Sequence, residues 1–167
     1  MSDPYPPGSA APVGTDAPLR AVAVLAAGAW PRDTAADRVV LTYDERHRRR
    51  WRFVAEGGTA FLLDLPRAAL LRAGEGLRLS DGRIVTVEAA PEALVQITAR
   101  EPQLLVRLAW HIGNRHLPAQ LESRRILIRD DAVIVEMLRG LSATVVRVFE
   151  AFTPEAGAYD SAHHSHD

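Results

Sequence analysis

The spacing of apolar residues changes character at Pro91, and that change commits the chain to two differently built parts. On the N-terminal side the apolar residues fall in short runs: AVAVLAAG (21–28), DRVVLTYD (37–44), RRWRFVAE (49–56) and TAFLLDL (59–65). Pro31, Gly57-Gly58 and Pro66 punctuate them. Leu77-Arg78-Leu79 leads into a turn at Asp81-Gly82, and Ile84, Val85 and Val87 resume the pattern. Short strands joined by glycine-containing turns predict a small all-β unit over residues 19–90. Ala68–Arg72 is expected to form one helical turn.

Past Pro91 the period lengthens. ALVQIT (93–98) reads as a strand, and Pro102 suits the first position of a helix. Leu104, Leu105, Leu108, Ala109 and Ile112 then recur on one helical face, with Gly113-Asn114 as the stop. Ala119–Ser123 and Ile126–Arg129 read as strands. Asp130-Asp131 opens a second helix, where acidic groups suit the positive end of the dipole; Val133, Ile134, Met137, Leu138 and Leu141 form its apolar face. Thr144–Phe152 is a closing β-branched and aromatic strand. The order βαββαβ over residues 91–153 predicts a ferredoxin-like domain, so the fold class is α+β.

Two flanking segments cannot bury much surface. Residues 1–18 are rich in Pro, Gly, Ser and Ala and are expected to be disordered, as is the polar tail 154–167. No apolar run approaches the roughly 20 residues of a membrane span. The alanine-rich stretch after Arg20 makes a poor secretory core, with five prolines and two aspartates ahead of it. A cytoplasmic protein is expected. The net charge of −1 gives no global pull toward nucleic acid or a charged membrane.

The absence of cysteine excludes thiolate metal sites, disulfides and cysteine nucleophiles. Any transition metal must therefore be held by imidazole, carboxylate or backbone groups. Of six histidines, three (His163, His164 and His166) lie within the last five residues. Such a cluster suits Ni(II), Cu(II) or Zn(II); the simpler reading is the remnant of a purification tag, though Ser165 interrupts it and Asp167 follows it. His116 follows the first helix of the second unit, and His111 lies five residues before it. That offset turns about 140° on a helix, so the two do not share a face, and packing is the simpler role for His111. GxSxG, HExxH and Walker A patterns are all missing. The run RHRRRWR (46–52) is the strongest charge cluster. It reads as a solvated strand face with Trp51 and Phe53 inward, or as a phosphate-binding surface. If strand alternation holds, Arg46, Arg48 and Arg50 point one way and form a basic patch for a protein partner. The third strand of the second unit, RRILIRD, has no aromatic to stack a base, which argues against an RNA-recognition motif.

The segment HIGNRHLPAQ (111–120) resembles the marker of the UreE-type urease accessory metallochaperones. EMLRGLSATVVRVFEAFTPEAGAY (136–159) and the histidine tail extend the resemblance over roughly residues 19–167. It implies a nickel metallochaperone that is not an enzyme: a β-rich peptide- or partner-binding domain, then a ferredoxin-like metal-binding domain. It implies a homodimer with His116 at the interface, Ni(II) as cargo, and delivery to apo-urease in complex with an accessory GTPase. Zn(II) and Cu(II) are expected to compete for the same nitrogens. Some relatives carry a peripheral histidine site at the positions of Asp130, Asp131 and Ala132; here those histidines are gone. One imidazole holds a divalent ion poorly, whereas a two-fold axis supplies two. Nine residues separate Pro154 from His163, so an extended tail reaches up to roughly 30 Å and can close over that site. The competing expectations are a metal buffer or storage protein that delivers to no partner, and a nucleic-acid-binding module using the arginine run.

Overall fold

The computed structural model describes residues 18–155, which form two sheets and three α-helices. The first sheet holds β1 (Arg20–Leu25), β2 (Asp37–Leu41), β3 (His47–Val54), β4 (Ala60–Leu70), β5 (Gly76–Leu79) and β6 (Ile84–Ala89). Their order is β2-β6-β5-β1-β4-β3. β1 runs parallel to β4 and β2 parallel to β6; the other neighbours are antiparallel. Every strand sends apolar side chains into one core, among them Ala21, Val39, Phe53, Leu63, Leu77 and Val85. Each large side chain so buried contributes roughly 1.5–3 kcal/mol.

Two local expectations fail here. Residues 42–46 leave the strand: α1 (Tyr43–Arg46) follows β2, nucleated by a capping box in which the Thr42 side chain receives the N3 backbone N–H and the Glu45 carboxylate receives the Thr42 N–H. Ala68–Arg72 forms no helical turn, because β4 continues through Leu70. Between β3 and β4 the register shifts: Arg50 faces Asp64, but Arg48 faces Ala69. Leu65–Ala68 lie in that interruption, where Pro66 costs no ladder hydrogen bond.

The second sheet holds β7 (Pro91–Thr98), β8 (Ala119–Leu121), β9 (Ile126–Arg129) and β10 (Thr144–Ala151), in the order β10-β7-β9-β8 and wholly antiparallel. With α2 (Pro102–Gly113) and α3 (Ala132–Gly140) between the strands, this is the expected ferredoxin-like arrangement. One face, carrying Val95, Ile97, Ile126 and Ile128, packs against Leu108, Ile112 and Leu138 of the helices. The other face carries Leu94, Leu127 and Val148, and it receives Phe152 and Tyr43. Tyr43 belongs to α1, so this second core joins the two sheets. The expected disordered segment 1–18 falls outside the described residues except for its last member, and the tail falls outside them after Glu155.

Candidate metal site

α2 ends where the sequence placed its stop. Arg115 N–H bonds the Ile112 carbonyl, and His116 N–H bonds the Gly113 carbonyl at 2.9 Å. His116 then takes φ +54°, one of two left-handed non-glycine residues among those described. That conformation costs an L-residue roughly 1–2 kcal/mol, and histidine is among the types found there more often than most. The turn is braced by Arg115, whose guanidinium donates to the His111 carbonyl at 2.8 Å. The result is an exposed imidazole on a fixed backbone at a helix end.

His111 is not brought to this point. It is half-buried, with its ring edge-on to Trp110 at 5.0 Å, and it lines a groove with Leu104, Arg107, Leu108, Leu141 and Ser142. Among the described residues no three histidine, aspartate or glutamate side chains cluster to hold a metal. His116 alone is an incomplete ligand set, and His163, His164 and His166 lie outside the described residues.

The start of the tail, however, is fixed. Phe152 is fully buried, its ring 5.6 Å from Tyr43. Thr153 N–H donates to the Gln120 side-chain oxygen at 2.7 Å. Glu155 N–H donates to the Ala119 carbonyl at 2.8 Å. The chain therefore leaves the described residues beside β8, at a residue only three positions after His116. No motif announced this pairing; the alternation in TVVRVFEA gave the strand but not its continuation.

Asp130 and Asp131 have structural employment. Asp131 Oδ1 accepts from Val133 and Ile134 N–H at 2.9 and 3.0 Å, capping α3, and Asp130 pairs with Arg147 at 2.7 Å. The acids stand where a helix start needs them.

The three-arginine patch does not form. Arg46 lies in α1, 1% exposed, and its guanidinium donates to the Phe152 carbonyl across the junction of the sheets. Burial pulls its pKa down, opposed by Glu92 and by Tyr43. Arg48 stacks over Trp51 at 5.0 Å, and Arg50 reaches Asp64 at 3.9 Å. The register shift between Arg48 and Arg50 breaks the alternation on which the shared face depended. Trp51, expected to pack inward, is 52% exposed, whereas Phe53 is buried as expected.

One further apolar feature stands on α2. Val106 and Trp110, four residues apart on α2, are each 64% exposed. Sequence periodicity missed them because they lie off the core face of the helix.

Comparison with known proteins gives matches along nearly the whole chain. The family model of the UreE urease accessory protein N-terminal domain matches residues 18–90, and that of its C-terminal domain matches residues 92–167. A urease accessory protein UreE of Rhodopseudomonas palustris (strain HaA2) is 52% identical over 132 residues, covering 79% of this chain and 61% of the relative. The chain thus spans less than two thirds of that relative's length. The namesake of Bradyrhizobium sp. (strain ORS 278) is 48% identical over 148 residues, covering 89% of this chain and 70% of its own. That of Rhodobacter capsulatus is 50% identical over 142 residues, covering 85% and 87%.

Proposed function

The chain belongs to the UreE urease accessory protein family, and from that premise we propose that it is a cytoplasmic nickel metallochaperone for urease maturation. Two copies pair through the second unit, residues 91–153, and present their His116 imidazoles to one Ni(II). His163, His164 and His166 supply further nitrogens from the tail, and Zn(II) or Cu(II) competes for the same donors. The cargo passes to apo-urease in complex with its accessory GTPase. The protein carries the ion and catalyses no reaction. The observation that carries this reading is the pinning of Glu155 to Ala119, which ends the described chain against a residue three positions after the exposed His116. A carrier needs such a site: tethered donors can be exchanged one at a time for those of a receiver, which a closed structural cage does not allow.

The exposed Val106 and Trp110 favour α2 as the face on which two copies meet. Burying a side chain the size of Trp110 suits an interface anchor, and the stripe lies on the helix whose closing turn leads to His116. The first unit, residues 19–90, serves as the partner-docking part. Arg50 is exposed and Arg48 half-buried, and both can take part, whereas Arg46 is withdrawn into the core between the sheets.

The test is an Ni(II) titration read by native mass spectrometry on the full chain, on His116→Ala and on a chain truncated after Tyr159. The full chain should form a dimer with one tight ion. His116→Ala should lose that ion. The truncated chain should keep it with lower affinity and lose weaker extra ions. An unchanged first affinity in His116→Ala would sink the assignment. Adding apo-urease with its accessory GTPase then separates delivery from storage: a storage protein would retain its nickel.

A further inference from the structure

We propose that the groove between α2 and the end of α3 is the docking site for the chain's own C-terminal segment, with the Arg107 guanidinium receiving the Asp167 carboxylate. This rests on the reading that the tail histidines close on His116, and it specifies what holds them there.

The groove has a volume of about 290 Å³. Leu104, Leu108 and Leu141 give it an apolar floor, and Arg107, His111 and Ser142 give it a polar rim. Arg107 and His111 are four residues apart on α2 and so lie one above the other on the same face. Among the described residues the Arg107 guanidinium and the Ser142 hydroxyl make no hydrogen bond or ion pair, and the His111 ring meets only the edge of Trp110. A groove with an apolar floor and a few convergent, unspent polar groups is what a small binding site looks like. Its charge calls for an anionic occupant.

The chain carries one. Residues 156–167, AGAYDSAHHSHD, contain Asp160 and Asp167 and no arginine or lysine. Reach is sufficient. Twelve residues separate the pinned Glu155 from Asp167, or roughly 40 Å of extended chain. Ala119, to which Glu155 is bonded, is eight residues from His111, so the two are at most roughly 29 Å apart by any path. Once Asp167 sits on Arg107, the order of the tail decides where its imidazoles fall. His166 lies next to the groove. His163 and His164 have three to four residues, roughly 10–14 Å of extended chain, to span the turn from His111 to His116. Docking the carboxylate thus lays the histidines along the segment that ends in the metal ligand. The apolar floor shields the ion pair on one side.

The experiment is a charge swap on the full chain, read by Ni(II) affinity and by NMR of the metal-free protein. Arg107 is exposed, so the substitutions should not disturb folding. Arg107→Asp and Asp167→Arg should each weaken the first Ni(II) by roughly three- to fivefold, the upper range for a partly exposed ion pair, and the double swap should restore most of the loss. Without metal, the Ser142 amide and the His111 ring signals should differ between the full chain and the chain truncated after Tyr159, and Arg107→Asp should abolish the difference. If truncation weakens binding while neither swap does, the groove is not the dock, although the tail still supplies ligands. If truncation itself changes nothing, the tail reading fails and the dock with it. If Arg107→Asp instead blocks only the binding of apo-urease, the groove belongs to an acidic partner and the proposal is overturned.

Discussion

Substituting His116 by glycine and by alanine should separate the cost of holding this residue from its use. Its φ of +54° places a Cβ against the backbone in the left-handed region, at roughly 1–2 kcal/mol for an ordinary L-residue. Alanine keeps that cost and, unlike histidine, is not enriched there. Glycine escapes it but regains chain freedom in the unfolded state, worth roughly 0.5–1 kcal/mol. Both variants lose the same exposed imidazole, so packing cancels between them. The difference predicts that metal-free His116→Gly is more stable than His116→Ala by about 0.5–1 kcal/mol. With a urea slope of about 2 kcal/mol/M, the unfolding midpoint of the second unit should lie about 0.25–0.5 M higher for glycine. Both should lose the first Ni(II) equally. Equal midpoints, or alanine the more stable, would show that the backbone at 116 is not held left-handed and that the fixed presentation of the imidazole is wrong.

Arg46→Ala should destabilise the junction of the two sheets by about 2–3 kcal/mol, because it removes a charge-assisted bond to the Phe152 carbonyl and empties a buried volume. Arg46→Met, which keeps the apolar stem and sheds the cost of burying a guanidinium, should lose less. Denaturant midpoints decide, and Met falling below Ala would refute the ordering. Asp37 is held down to about 2 despite burial, the largest influence, which raises it; hydrogen bonds from the Thr59 side chain and from the Gly57, Arg38 and Thr59 backbone N–H groups prevail. A depressed folded pKa contributes stability that is present above the unfolded value of 3.8 and lost as pH falls toward about 2. Acid titration of unfolding should show this loss in the wild type and not in Asp37→Asn, which should already be less stable at neutral pH. Trp110→Glu should shift the sedimentation of the metal-free protein from dimer to monomer; an intact dimer would move the interface off α2.

The helices of the second unit were legible because each has a start signal and a full apolar face: Pro102 and Asp131 at the beginnings, Leu105–Leu108–Ile112 and Ile134–Leu138 along the cores. α1 was missed although its T-x-x-E box is written at Thr42–Glu45, because the β-branched run before it and the arginine run after it both speak for strand. The extension of β4 through Pro66 depends on a register shift against β3, which no local pattern encodes. His116 could be picked out by the motif around it. What makes it useful could not: its left-handed backbone is a detail of the turn after α2 that no pattern writes, and the bond from Glu155 to Ala119 is a product of tertiary closure. Arg46 shows the same limit. A charged residue in a basic run reads as surface, and only the packing of Tyr43 and Phe152 against the second sheet reveals it as buried.

The bond that pins Glu155 beside β8 has a kinetic corollary for the proposed carrier. A donor tethered about eight residues away meets the metal at a local concentration on the order of millimolar, whatever the protein concentration in the cell. If the tail binds as proposed, its recapture of the ion outruns escape to solvent, and dilution alone does not empty the site. A receiving protein overcomes this only by bringing its own donors to a comparable local concentration, which docking achieves and collision does not. Transfer becomes a ligand exchange inside one complex, and free Ni(II) need never appear in solution.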